Sequence, residues 1–296
     1  MRPSSVGRME IGIAGVLVGH RTDHEACTGC TVVRFPDGTV ASGEIRGGAP
    51  ATREFALLDP TRLVDRLDAV VLSGGSAFGL AAGDGVMQAL EAAGVGFETP
   101  HGVVPIVVGM ALFDLGVGDA TVRPDASWGR DALAAAVPDP ATGAVGAGTG
   151  ATVRKWHGPD GAAPGGLGIR RVEQGDLVVT AIVAVNAVGD VDDGTTVARV
   201  ADGSRVWPGD AAPFGNTVIG VVATNAALDK VGCHIVAQGA HDGLARAIVP
   251  AHMRSDGDGF VAAATGEVEV PVDEVRLAAV VATETAIREA VGILPG

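Results

Sequence analysis

Tyrosine is absent from this 296-residue chain, and aromatic residues make up only 3% of it. A core so poor in rings must close with small aliphatic side chains, so tight turns and close backbone approaches are expected. Cysteine is scarce too: three residues cannot build a disulfide framework, which points to a reducing compartment. Cys27-Thr28-Gly29-Cys30 has redox-pair spacing, but no second pair completes a zinc site, so reduced structural thiols are the expectation. Cys233 lies in a helical pattern and reads as packing. Positive charge is also short. With 21 basic against 35 acidic residues the net charge is −14, and no basic patch is visible, which argues against nucleic acid as a partner. A cationic or amine-bearing substrate would suit that surface better. The longest apolar run, 177–188, is interrupted by Thr180 and Asn186 and falls short of a membrane span. Met1-Arg2-Pro3-Ser4-Ser5 carries no signal-like apolar segment, so a cytoplasmic protein with no membrane partner is expected.

What is present is a mixture of strand-like and helical patterns. Strands are expected at 11–18, 31–35, 39–42 and 69–72, followed by a helix over 77–93 and another near 131–137. A long strand over 176–188 reads as buried on both faces. Residues 190–215 form an irregular stretch rich in Asp, Gly and Pro, including Trp207-Pro208-Gly209-Asp210 and Pro213-Phe214. That is longer than an ordinary connection and favours a functional loop. After a strand opening at Thr217, Asn225 is placed to cap a helix reaching about 248, with Leu228, Val231, Ile235, Ala240, Leu244 and Ile248 as its stripe. A strand over 259–264 and a helix over 273–291 complete the chain. Runs of strands without strict βαβ alternation indicate layered α/β or α+β packing in one domain over 1–296.

The chemistry concentrates around Gly215-Asn216-Thr217. A mid-chain threonine hydroxyl is a weak nucleophile with no base of its own. Breaking the Asn216–Thr217 bond would give Thr217 a free α-amine, with an ordinary pKa near ~8, able to take the hydroxyl proton. A threonine opening a buried strand is equally an ordinary structural residue. Four other features bear on the choice. Asp256-Gly257-Asp258 sets two carboxylates around a glycine, on one face in a strand or convergent in a turn. Lys155 follows the Gly-rich run 146–153, which lacks the ending of a phosphate loop. Asn186 is an amide inside an apolar run and must find partners, in the backbone or at a developing oxyanion. Ser73-Gly74-Gly75-Ser76 bends between strand and helix; Phe78 breaks the G-x-S-x-G pattern, leaving Gly75 and Ser76 as pocket or oxyanion candidates through their N–H groups. The seven histidines show no metal-ligand spacing, and neither metal nor cofactor is implied.

These pieces in this order resemble the self-cleaving aminopeptidases of the DmpA type, a family that includes L-aminopeptidase/D-esterases, β-aminopeptidases and nylon-oligomer hydrolases. The resemblance runs through Ile45-Arg46-Gly47-Gly48-Ala49-Pro50-Ala51-Thr52-Arg53-Glu54, Leu72-Ser73-Gly74-Gly75-Ser76-Ala77-Phe78-Gly79-Leu80 and residues 146–155. It continues through Ala184-Val185-Asn186-Ala187-Val188-Gly189-Asp190, residues 216–225 and His241-Asp242-Gly243-Leu244-Ala245-Arg246-Ala247. It implies a four-layer α/β/β/α sandwich and a precursor that cuts itself between Asn216 and Thr217. The α part (1–216) and β part (217–296) would stay associated, usually within a homo-oligomer. Asn216-Thr217 looks like the threonine form of the nylon-oligomer hydrolases, and Asp256, Asp258, Lys155 and Asn186 fall on that branch's active-site positions. The β-aminopeptidase branch carries Ser and Glu where this chain has the two aspartates, so no β-amino-acid specificity is implied. A small peptide or amide is the expected substrate. An acyltransferase using the same threonine, or a noncatalytic small-molecule binding protein, are the alternatives.

Overall fold

Alternation along the strands decides which side chains meet. In the computed structural model, which describes residues 7–206 and 215–293, two five-stranded sheets stack face to face. Their strands in chain order are β1 (Leu17–Asp23), β2 (Thr28–Arg34), β3 (Val40–Ile45), β4 (Ala51–Arg53), β5 (Ala69–Ser73) and β6 (Val107–Ala111). They continue with β7 (Gly166–Gln174), β8 (Leu177–Asn186), β9 (Thr217–Ala226) and β10 (Gly259–Val268). The helices are α1 (Ala82–Ala92), α2 (Ala126–Ala134), α3 (Thr195–Ala201), α4 (Lys230–Ala247) and α5 (Val272–Ala290). Sheet one runs β1-β2-β5-β6-β4 and sheet two β7-β8-β9-β10-β3; only β5/β6 and β9/β10 pair in parallel.

The inner faces, including Val33, Leu72, Val108 and Met110 of one sheet and Ile182, Ile219, Val221 and Val261 of the other, make the central core. Alternate residues of sheet two, among them Val183, Val185, Val222 and Phe260, turn outward onto α4 and α5. Val32, Val71 and Val107 of sheet one turn outward onto α1 and α2. This is the expected four-layer α/β/β/α sandwich, with strands of both sheets buried on two faces as in helix-covered sheets.

Several local expectations are corrected. Residues 11–16 are not strand: Gly12 and Gly15, both at φ 74°, turn the chain while Ile11, Ile13 and Val16 still bury, and pairing begins only at Leu17. The helix expected at 77–93 opens as a tight 3-10 stretch, Ser76–Ala81, before α1. The second helix starts earlier than 131, because the Asp125 carboxylate accepts from the Ser127 and Trp128 N–H groups and caps α2. Asn225 caps nothing. It lies within β9, accepting from Val178 N–H at 2.8 Å and donating to the Asp176 carbonyl at 2.8 Å, while Asp229 caps α4 through Gly232 N–H. The buried stripe of α4 is also rotated: Cys233, Val236, Ala237, Ala240 and Leu244 pack inward and Val231 is 53% exposed. β7 was not anticipated. Within the expected irregular stretch, Asp190–Val191 pairs with Ile248–Val249 and α3 follows; residues 207–214, including Trp207, Pro208, Gly209, Asp210, Pro213 and Phe214, lie outside the described residues. Among the described residues no helix is long and apolar enough to cross a membrane.

Candidate active site

Strand register brings the polar residues together at one end of sheet two. Thr217 opens β9 directly opposite Asn186, the last residue of β8. It has the same parity as Ile219 and Val221, so its side chain shares the inter-sheet face. On its other flank β10 runs parallel, with Ile219 opposite Gly259, and an isolated bridge joins Asn216 to Asp256. The Asp256-Gly257-Asp258 turn therefore lies beside the Asn216–Thr217 bond. Both residues of that bond are 4% exposed.

In the continuous chain the Thr217 hydroxyl donates to the carbonyl oxygen of Asn216, the residue just before it. The Gly257 N–H donates to the same oxygen at 3.1 Å. A Cβ on Gly257 would come within 2.8 Å of Thr217 Oγ1, so only glycine lets the turn approach this closely. A hydroxyl, a carbonyl and a backbone donor thus converge on one peptide bond.

Lys155 and Asn186 grip the residue before. The Lys155 ammonium donates to the Gly215 carbonyl at 2.6 Å, to Asn186 Oδ1 at 2.8 Å and to the Asn186 carbonyl at 3.0 Å. Asn186 Nδ2 donates to the Phe113 carbonyl at 3.0 Å and to the Gly215 carbonyl at 3.3 Å, and Oδ1 also accepts from Thr152 N–H at 2.9 Å. The buried amide has partners for both its oxygen and its nitrogen, which removes the cost of about 1–3 kcal/mol that an unpaired group would carry. Lys155 is reached through a short 3-10 turn, Lys155–His157, whose neighbours tie it down: Trp156 Nε1 donates to Asp190 Oδ1 at 3.1 Å, and His157 Nε2 lies 3.0 Å from Asp190 Oδ2.

Each carboxylate of the acidic pair is engaged. Asp256 accepts from Met253 N–H at 2.9 Å and from Val188 N–H at 3.4 Å. Asp258 accepts from Val218 N–H at 2.8 Å, and its other oxygen lies 2.8 Å from His252 Nδ1. The His252 ring packs edge-on against His241, which packs edge-on against Phe260. Burial, and then the neighbouring Asp258, push Asp256 up to about 7. Burial pulls Lys155 down to about 7, although Asp256, Asp114 and Asp258 favour its charged form. Near neutral pH the site therefore holds an acid and an amine that both exchange protons readily.

Thr217, Asn216, Lys155, Asn186, Asp256 and Asp258 are all brought together. Gly75 and Ser76 do not contribute as oxyanion donors: Gly75 N–H donates to Asp114 Oδ1 at 2.7 Å and Ser76 N–H to the Leu112 carbonyl at 2.9 Å. Their turn instead braces the segment whose Phe113 carbonyl holds Asn186. In the continuous chain the Asn186 donors face the Gly215 and Phe113 carbonyls, while Gly257 N–H donates to the Asn216 oxygen. Phe113 and His252 went unnoticed as site residues in the sequence, and Gly257 entered only as the spacer between two aspartates. A glycine between two site aspartates was the only available signal, and it pointed to Gly257 alone.

Known proteins share this architecture. The structure of an L-aminopeptidase D-Ala-esterase/amidase from Ochrobactrum anthropi, described as a variant of the Ntn hydrolase fold, superposes with a TM-score of 0.72 at 21% identity, covering 95% of this chain and 85% of that one. The chain thus shares the fold of that structure. By sequence, an uncharacterized aminopeptidase of Mycobacterium bovis is 43% identical over 95% of this chain and 88% of its own. A 6-aminohexanoate-oligomer endohydrolase of an Agromyces species is 30% identical over 90% of this chain and 78% of its own. The profile of peptidase family S58 matches residues 11–293, and the chain belongs to that family. It is a hydrolase of amide bonds.

Proposed function

We propose that the chain activates itself by cutting between Asn216 and Thr217, and then hydrolyses small peptides or other amides through an ester on Thr217. The observation that carries this reading is the Thr217 hydroxyl set against the Asn216 carbonyl, whose oxygen also accepts from Gly257 N–H. In maturation Thr217 Oγ bonds to the Asn216 carbonyl carbon, the Asn216–Thr217 C–N bond breaks, and the hydroxyl proton ends on the new α-amine. Water then cleaves the ester, leaving a carboxyl on Asn216 and restoring the hydroxyl. Gly257 N–H holds the negative charge that builds on the carbonyl oxygen. In turnover the freed amine takes the hydroxyl proton as Oγ attacks a substrate amide and returns it to the leaving amine. Lys155, Asp256 and Asp258 fix the field around the reacting atoms. Both parts stay in one fold; the family resemblance supports a homo-oligomer, and three free cysteines support a cytoplasmic setting.

Thr217→Ala tests the reading. Intact-mass analysis should give one uncut chain, and the purified protein should have no amidase activity. Two fragments from this variant would remove Thr217 as the maturation nucleophile. Activity retained in an uncut chain would remove the amine from the mechanism.

A further inference from the structure

The grip on Gly215 has a meaning beyond maturation. The ester formed when Thr217 attacks Asn216 and the ester formed when it attacks a substrate are the same functional group on the same oxygen, opened by the same water. The acyl group of a substrate must therefore follow the path of Asn216, and whatever precedes it must lie where Gly215 lies. At that place the carbonyl of Gly215 accepts from two side chains, Lys155 Nζ at 2.6 Å and Asn186 Nδ2 at 3.3 Å. The remaining Lys155 contacts go to Asn186 itself, and the other Asn186 donor goes to the Phe113 carbonyl. When residues 215–216 withdraw, this donor pair loses its shared acceptor.

We infer that Lys155 Nζ and Asn186 Nδ2 form an acyl-side subsite for the amide carbonyl that precedes the reacting residue, so that the preferred substrates are N-acylated aminoacyl amides, cleaved at internal bonds. The inference rests on the reading of Thr217 as nucleophile. A substrate with a free terminal amine supplies no carbonyl to this pair and brings a second cation beside Lys155. The acidic pair is partly engaged already. Asp256 accepts from Val188 and Met253 N–H, and Asp258 from Val218 N–H beside His252, so each of the four carboxylate oxygens already has a partner. Among the described residues Phe113 bounds this place: a Cβ at Gly215 would lie 3.6 Å from its ring, which leaves room for a small residue or an acetyl group on that side.

The test uses the self-cut wild-type protein and three anilides with one leaving group: N-acetyl-L-asparagine p-nitroanilide, L-asparagine p-nitroanilide, and the 3-carbamoylpropanoyl p-nitroanilide that lacks the α-nitrogen altogether. A hydrogen bond from a charged donor is worth roughly 10- to 100-fold in kcat/KM, and the acetylated compound should exceed both others by that margin. Equal rates, or a preference for the free amine, would overturn the subsite and leave the amide hydrolase intact. Failure of the cut protein to turn over any of the three faster than Thr217→Ala would sink both.

Discussion

Adding a single methyl group at Gly257 probes the oxyanion assignment directly. Gly257 does not sit at positive φ, so alanine meets no backbone strain there, only its neighbours. Its Cβ would lie 2.8 Å from Thr217 Oγ1, 2.8 Å from the Ala49 carbonyl oxygen and 3.2 Å from Pro50 Cα. Two of those neighbours are backbone and cannot swing aside, and the third is a β-branched side chain with few rotamers. Relief requires a displacement of roughly 0.5 Å, which pulls the N–H away from the Asn216 oxygen, the nucleophile away from the carbonyl, or both. Losing one oxyanion donor costs about 10²–10³ in rate, so cutting of Gly257→Ala should slow at least 100-fold. Overpacking adds about 1–3 kcal/mol of destabilisation, a fall in Tm of roughly 2–4 °C for each kcal/mol in a large domain. A time course of intact mass from freshly made protein gives the cutting rate, and a thermal melt establishes that the variant is folded. A folded Gly257→Ala that cuts at the wild-type rate would refute the assignment.

Two further outcomes follow from the charged groups. Asp256, lifted from 3.8 to about 7, keeps its proton in the folded state over a pH range in which the unfolded chain has lost it. Its contribution to stability is therefore present at low pH and disappears as pH rises through that window. In the uncut Thr217→Ala background, urea melts should show the stability difference from Thr217→Ala/Asp256→Asn declining between pH about 4 and 7; a flat difference would show that the carboxyl is not perturbed. His252 Nδ1 lies 2.8 Å from Asp258, so any effect of the ring on cutting would run through that carboxylate. His252→Phe should slow cutting roughly tenfold and move its pH profile, with His252→Asn recovering part of the loss; an unchanged profile in His252→Phe would make the contact merely structural.

Asn216-Thr217 stood out as a candidate pair only in company, since a threonine opening a buried strand is ordinary by itself and several motifs in family order were needed to single it out. Lys155, Asn186, Asp256 and Asp258 stood out as polar groups in apolar or Gly-rich surroundings, where only a function or a full set of partners keeps them. The sequence could not reveal which backbone amide donates to the Asn216 carbonyl. That depends on the parallel register of β9 and β10, strands separated by a whole helix. Asn225 misled for a related reason: its side chain satisfies groups at 176 and 178, a pairing created only by sheet formation. The α4 stripe was misplaced because a core poor in aromatics packs helix to sheet through Ala, Gly and Cys, whereas the pattern was read from its larger residues. β7 escaped notice because its outer half, with Arg170, Arg171 and Glu173, is partly exposed and polar.

Strand order and chain order disagree in sheet two. β9 and β10 lie in its middle, while β7, β8 and β3, all encoded before residue 216, flank them on either side. Severing the backbone at 216 would thus yield two polypeptides woven through one another, like fingers of clasped hands, with nothing unzipped by the break. Such a product is reached by folding first and cutting second, and the newborn amine would arise already clamped between neighbours rather than on a loose end.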